Sequence, residues 1–177
     1  MLVKILALVG ILILCLVVYA ALKEPAMNIS RDMVIAATPE RLFPYLNNSK
    51  KMNDWMPWQD SDPNCKMQYS GPEEGVQSKS FWESTGKMGT GSSTIIESVP
   101  NKSVKSQLVY TKPMEMSQFA EISLTPVAGG TQVTWSVDGH NNFLFRLVGI
   151  FISVDKMIGG EFEKGLSKLK NQVESTK

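Results

Sequence analysis

Histidine and cysteine are nearly missing from this sequence: one histidine, His140, and two cysteines, Cys15 and Cys65, occur in 177 residues. A histidine cluster for metal binding or proton relay is thereby excluded. The two thiols fall in different parts of the chain, one in an apolar N-terminal run and one beyond it, so the remainder has neither an intramolecular disulfide nor a thiolate metal cluster. Excess positive charge is missing too. Lys4 is the only one of 18 basic residues within the first 22 positions, and all 17 acidic residues lie beyond them, leaving residues 23–177 formally neutral. A nucleic-acid partner normally shows as a surplus of Lys and Arg on the domain, so none is expected. Finally, no second run approaches the ~18 consecutive apolar residues of a membrane span, which excludes a polytopic membrane protein.

What is present begins with that one run. Of residues 1–22 only Lys4 and Gly10 fall outside the hydrophobic set. As a helix, residues 2–22 would be about 30 Å long, the thickness of a bilayer hydrocarbon core. We therefore expect a transmembrane anchor over 1–22, a linker over 23–27 and a folded domain over 28–177. The alternative is a cleaved signal peptide, with Lys4 as its charged start and Val18-Tyr19-Ala20 as its cleavage site, giving a secreted or periplasmic product. The anchor is favoured because the apolar run exceeds the ~7–15 residues usual for such peptides. The short N-terminal flank with one Lys places the domain on the extracytoplasmic side of a cell membrane, in single-pass topology.

Beyond the anchor, Ile29 to Ala36 reads as a strand. Thr38-Pro39-Glu40 then supplies a helix start, with Thr38 as cap, Pro39 at the first helical position and Glu40 at the positive helix end. A second short helix spans Lys50 to Trp55. From residue 66 the pattern turns to period two. Lys66–Ser70 and Val76–Ser84 flank the Gly71–Gly75 turn; Gly89–Val99 follows; Val104, Leu108 and Tyr110 alternate with polar residues, as do Ala120, Ile122 and Leu124. The clearest alternation is Thr131–Val137 after the Gly129-Gly130 turn. These are antiparallel strands with one wet face. Phe143 to Val173 is then mostly helical, with Leu147, Phe151, Val154, Ile158, Phe162, Leu166, Leu169 and Val173 forming an apolar stripe. Gly159-Gly160 predicts a bend within it. The expectation is an α+β fold: a curved antiparallel sheet of about seven strands wrapped around a long C-terminal helix, with two short helices after the first strand.

Several segments carry a family resemblance: Ala36-Ala37-Thr38-Pro39-Glu40-Arg41-Leu42-Phe43 after the first strand, Trp55-Met56-Pro57-Trp58 before Asp62-Pro63, and Tyr69-Ser70-Gly71-Pro72. Gly129-Gly130-Thr131-Gln132-Val133-Thr134-Trp135 and Asp155 to Leu166 continue it. In this order and spacing, over Asn28 to Val173, the chain resembles the START-like, or helix-grip, superfamily, and within it the bacterial SRPBCC proteins of the polyketide cyclase/dehydrase and lipid-transport group. The resemblance implies a fold and an internal cavity more firmly than a reaction.

No catalytic set assembles from the residues themselves. His140 is expected in the connection after the last strand, and Cys65 has no local base. The acidic residues lack calcium-loop spacing. Glu161 and Glu163 point to different helix faces and, with Lys164, read as solvated surface. Gly86-Lys87-Met88-Gly89-Thr90-Gly91 joins two strands rather than opening a helix, so it is no phosphate loop. No metal or cofactor is expected.

A cavity wall is better supplied. Trp82 shares a strand face with Ser78 and Ser80, Tyr110 with Ser106, and Trp135 with Val133 and Val137, while Phe151 and Met157 would face them from the last helix. Small hydroxyls beside aromatic rings suit a mostly apolar site with a few orienting polar groups. Trp55 and Trp58 flank Met56-Pro57 as a candidate entrance or lid. The leading expectation is thus a membrane-tethered module that binds a hydrophobic small molecule or lipid without covalent chemistry. One alternative is a cyclase- or dehydratase-like enzyme using the same cavity, with His140, Tyr110 and Glu83 as weak catalytic candidates. Another is an interaction scaffold at the membrane.

Overall fold

A computed structural model of the chain describes residues 2–22, 24, 26–86, 88–140, 143–150 and 153–175. The N-terminal helix α1, Leu2–Leu22, is exposed along nearly its whole length and is long and apolar enough to cross a membrane. Beyond it, seven antiparallel strands form one sheet: β1 Ala26–Ile35, β2 Lys66–Ser70, β3 Lys79–Glu83, β4 Thr90–Val99, β5 Ser103–Lys112, β6 Met116–Val127 and β7 Gly130–His140. Their order across the sheet is β1-β7-β6-β5-β4-β3-β2. All neighbours after β1 are sequential hairpin partners, while β1 closes against the last strand.

Period-two burial along β7 follows its sequence: Thr131, Val133, Trp135 and Val137 are buried while the residues between them are partly solvated. The register slips at two points between β4 and β5, at Thr90/Gly91 and at Ile95/Glu97. Extra residues of this kind bend a strand and sharpen its twist, and here they help turn one face of the sheet into a concavity.

Between β1 and β2 lie three short helices, one more than expected: α2 Pro39–Leu46, α3 Ser49–Trp55 and the single turn α4 Trp58–Ser61. Thr38 does not cap α2 through its side chain. The Glu40 carboxylate instead satisfies its own backbone N–H, and the Thr38 hydroxyl donates to it; both contacts hold this carboxylate below its ordinary range. Asn48 caps α3 in the expected manner for its type, its Oδ1 accepting from the N–H groups of Lys50 and Lys51 at 3.0 Å each.

The C-terminal helix departs from expectation. It is two helices, α5 Phe143–Val148 and α6 Val154–Ser175, with the break before Ser153 rather than a bend at Gly159-Gly160. Ser153 caps α6, its hydroxyl accepting from the Lys156 N–H at 3.3 Å, and Gly149 precedes it. Gly159 is inside an unbroken helix for a different reason: a Cβ there would lie 2.1 Å from the Arg31 guanidinium. Arg31 stands on the inner face of β1 and bonds Asp155 and Glu163 of α6, both at 2.9 Å. The glycine lets that ionic cluster close against the helix.

From α6, Phe162, Leu166, Leu169 and Val173 pack into the sheet's inner face with Ile29, Ile35, Val133 and Trp135. The far end of the helix is tied down by Arg41, which donates to the Val173 carbonyl at 2.6 Å, and by Glu174, which accepts from the Ala36 N–H at 2.9 Å. This is a helix-grip arrangement: a curved sheet around one long helix.

Candidate ligand-binding cavity

Residues on alternate positions of five adjacent strands, β3 to β7, form the floor of a cavity of about 390 Å³ between the sheet, α3 and the first turns of α6. The register sets them in rungs. Ser80 of β3 is opposite Ser93 of β4, which is opposite Leu108 of β5, which is opposite Gln118 of β6. The next rung runs Trp82, Gly91, Tyr110. On the other side, Ile95, Ser106, Ala120 and Val137 form a third. A Cβ on Gly91 would lie 2.5 Å from the Trp82 ring, so the glycine lets that indole lie across β4. Trp82 then meets Tyr110 edge-on at 5.4 Å, and its N–H donates to the Met88 carbonyl at 3.3 Å.

The roof is softer. Met52 and Met56 come from α3 and its end, Met67 from β2 and Met88 from the β3–β4 turn, with Trp58, Ile158 and Phe162 completing it. Unbranched thioether side chains adapt to irregular apolar shapes. The β3–β4 turn is fastened to the end of α4, since the Ser84 hydroxyl donates to the Asp62 carboxylate. Asp60 of α4 is in turn paired with Lys168 of α6 at 3.0 Å.

Trp58, Ser80, Trp82, Ser106, Tyr110 and Trp135 line this cavity, as their positions in sequence suggested. Three other expected residues do not. Trp55 is fully buried behind the wall, its indole N–H donating to the Tyr45 carbonyl at 3.1 Å and its ring set edge-on to Trp135 at 5.4 Å. Ser78 precedes β3, and its hydroxyl is used to fasten that loop to α3, donating to Ser49 Oγ at 2.9 Å. Met157 is 54% exposed, because the helical rotation of one residue turns Ile158 inward in its place. Phe151 lies outside the described residues.

The three weak catalytic candidates do not converge. Tyr110 is in the wall, where burial pushes its phenol pKa up. Glu83 ends β3 and is exposed. His140 is not in a loop but closes β7 opposite Ala26, also exposed. Strands β3 and β7 are separated by β4, β5 and β6, so Glu83 and His140 are four strand spacings apart, about 19 Å along the sheet.

Gln118, Ser93 and Glu161 were not anticipated. Gln118 and Ser93 occupy inward strand positions shared with Ala120 and Ile95, and a polar residue at an apolar-face position was the available signal. Glu161 lines the rim while paired with Lys164 at 2.7 Å, and Glu163 is on the exposed surface as expected while also accepting from Arg31.

The cavity reaches one end of the sheet and extends inward from it to Val104, Ile122 and Trp135. Ala26 opens β1 beside His140, and the register carries that same end through the start of β6, the close of β5 and the start of β4 to Glu83. Trp82, Tyr110 and Gln118 all lie within two residues of those strand ends. This is also the end that meets α1: α5, which follows β7, packs on α1, and Arg146 donates to the Ala21 carbonyl at 3.1 Å.

Comparison with known proteins agrees with this architecture. The family profile described as polyketide cyclase/dehydrase and lipid transport matches residues 26–174. The chain belongs to this family. Its structure is similar to a protein from Chromobacterium violaceum, with a TM-score of 0.60 at 14% identity, covering 83% of this chain and 96% of that one. The Aha1 dimer from Colwellia psychrerythraea is similar with a TM-score of 0.54 at 22% identity, over 84% of this chain and 96% of that one. The di-domain ARO/CYC StfQ from the steffimycin biosynthetic pathway matches with a TM-score of 0.61 at 10% identity; 85% of this chain aligns, to 51% of that protein. At such identities these likenesses show the fold alone. A search among curated proteins finds no match.

Proposed function

We propose that this family member is a single-pass, membrane-tethered binding module that holds a hydrophobic small molecule or lipid in its cavity and performs no covalent chemistry on it. The observation that carries the reading is the make-up and reach of the cavity: mostly apolar, roofed by methionines, and extending to the sheet end on whose side α5 packs against α1. Its volume lies near the lower end of the ~300–1,000 Å³ typical of pockets that bury drug-sized ligands. A tether that keeps such a site near a bilayer supplies it with apolar ligands at high local concentration. On this reading α1 is the anchor, the domain follows it on the extracytoplasmic side, and α5 seats the domain against the anchor's end.

Native mass spectrometry of the detergent-extracted full chain, followed by solvent extraction, tests the proposal. A co-purifying apolar molecule that is lost in an Ala120→Trp variant, whose larger ring would fill the wall, is the expected result. Recovery of unliganded protein alone, with no mass shift on lipid titration, would overturn it.

The cyclase- or dehydratase-like alternative keeps one supporting observation, the Tyr110 phenol inside the cavity. It would require turnover that Tyr110→Phe abolishes while binding persists.

A further inference from the structure

We infer that the cavity selects an electrically neutral ligand carrying a hydrogen-bonding group, and discriminates against anionic amphiphiles such as ionised fatty acids. The inference rests on the binding function proposed above and deepens it by naming the ligand's chemistry. Ser80, Ser93, Ser106, Tyr110 and Gln118 all line the cavity, and among the described residues none of their side chains has a hydrogen-bond partner; the Trp135 indole N–H in the same wall is fully buried and unpaired as well. Ser80, Ser106 and Gln118 are each nine-tenths or more buried. Buried polar groups are ordinarily paired, because an unmade hydrogen bond leaves the desolvation of the group uncompensated. Four hydroxyls and one carboxamide both donate and accept, which matches an alcohol, ester, amide or ketone.

Charge points the same way. No Lys, Arg or His is among the described lining residues, and the one charged side chain there is Glu161 at the rim, three-quarters buried against Lys164. A carboxylate or phosphate drawn into this space would find no cation, and a buried charge without a partner is far more costly than a buried neutral dipole. A neutral head group meets the rung from Ser80 to Gln118 with no such cost, while its apolar body lies under Met52, Met56 and Met88.

Photo-crosslinking of the full chain in phosphatidylcholine vesicles tests this with two probes of equal chain length, a diazirine-bearing fatty alcohol and the corresponding fatty acid at alkaline pH, where the acid is ionised. Crosslinks are mapped to cavity peptides and normalised to each probe's membrane concentration. The alcohol is expected to label the cavity at least about tenfold more than the acid. Gln118→Lys, which places a cation on the same rung, is expected to reverse the preference, and Gln118→Leu to lower alcohol labelling several-fold; thermal melting confirms that each variant is folded. Equal or stronger labelling by the acid in the wild-type chain would overturn the inference and leave the binding function standing. Labelling by neither probe would sink both.

Discussion

The rings of Trp135 and Phe162 lie 4.1 Å apart and within 9° of parallel, joining the centre of β7 to the middle of α6. Trp55 meets the same indole edge-on from α3. One side chain thus ties strand, long helix and short helix together in the cavity's own wall. Gly165 makes the approach possible, since a Cβ there would be 2.8 Å from the Trp135 ring and 3.0 Å from Pro57.

Two substitutions probe this contact. Phe162→Ala removes a nearly fully buried ring and is expected to destabilise the chain by about 3–5 kcal/mol. Gly165→Ala adds one methyl where there is no room and should cost about 1–3 kcal/mol despite alanine's better helix propensity. Thermal or denaturant unfolding of the detergent-solubilised chain measures both, and a Gly165→Ala variant more stable than the parent would contradict the packing described.

The Arg31 cluster predicts a specific pH dependence. Its hydrogen bond to Asp155 is the largest influence holding that carboxyl below its ordinary value of 3.8, and the same bond raises the Arg31 guanidinium. A group whose folded pKa is depressed adds stability that is complete above its unfolded pKa and is lost as pH falls through the folded value. The loss should therefore appear only on the acid side, below about pH 4, and Glu40 should add to it in the same direction. Arg31→Met is expected to lower the melting temperature at neutral pH and to flatten this acid limb; an unchanged limb would show that other carboxylates govern it.

Cys65 is expected to be a slow nucleophile. Burial, and then the charge of Asp62, push its thiol pKa above the ordinary value of 9.0, so the thiolate fraction at neutral pH is small. In a Cys15→Ser background, maleimide should label it more slowly than a cysteine placed at exposed Glu74. Equal rates would refute that environment.

Topology is open to a direct assay. With alkaline phosphatase fused after Lys177, the proposed orientation gives an active enzyme, and carbonate washing should leave the fusion in the membrane fraction. An inactive fusion would reverse the orientation; an active but soluble one would make α1 a cleaved leader.

Legibility of the fold from sequence tracks how local the deciding forces are. The alternation of β7 was plain because one face of that strand is wet, and Thr131, Val133, Trp135 and Val137 are buried at every second position. Ser80, Ser106 and Tyr110 face the cavity by the same alternation. The break before α6 was hidden, because the apolar stripe runs across it and the Ser153 cap is one residue among many serines. Gly159 was read as a bend, although its role is set by Arg31, which is far away in sequence. Trp55, Ser78 and Met157 were misplaced because helix rotation and loop fastening, rather than strand periodicity, decide where they point. Gln118 could have been found: it sits two residues from Ala120 on the inward face of β6.

The brevity of the join between α1 and β1 has a mechanical consequence. From Leu22 to Ala26 there are four Cα steps, at most about 15 Å of chain. With α1 in a bilayer, the domain can pivot but cannot travel, and a shuttle between two separated membranes would need a far longer leash. Under the proposed function, a bound molecule would then be loaded and surrendered at one surface, by lateral encounter within that membrane or by an acceptor that comes to it.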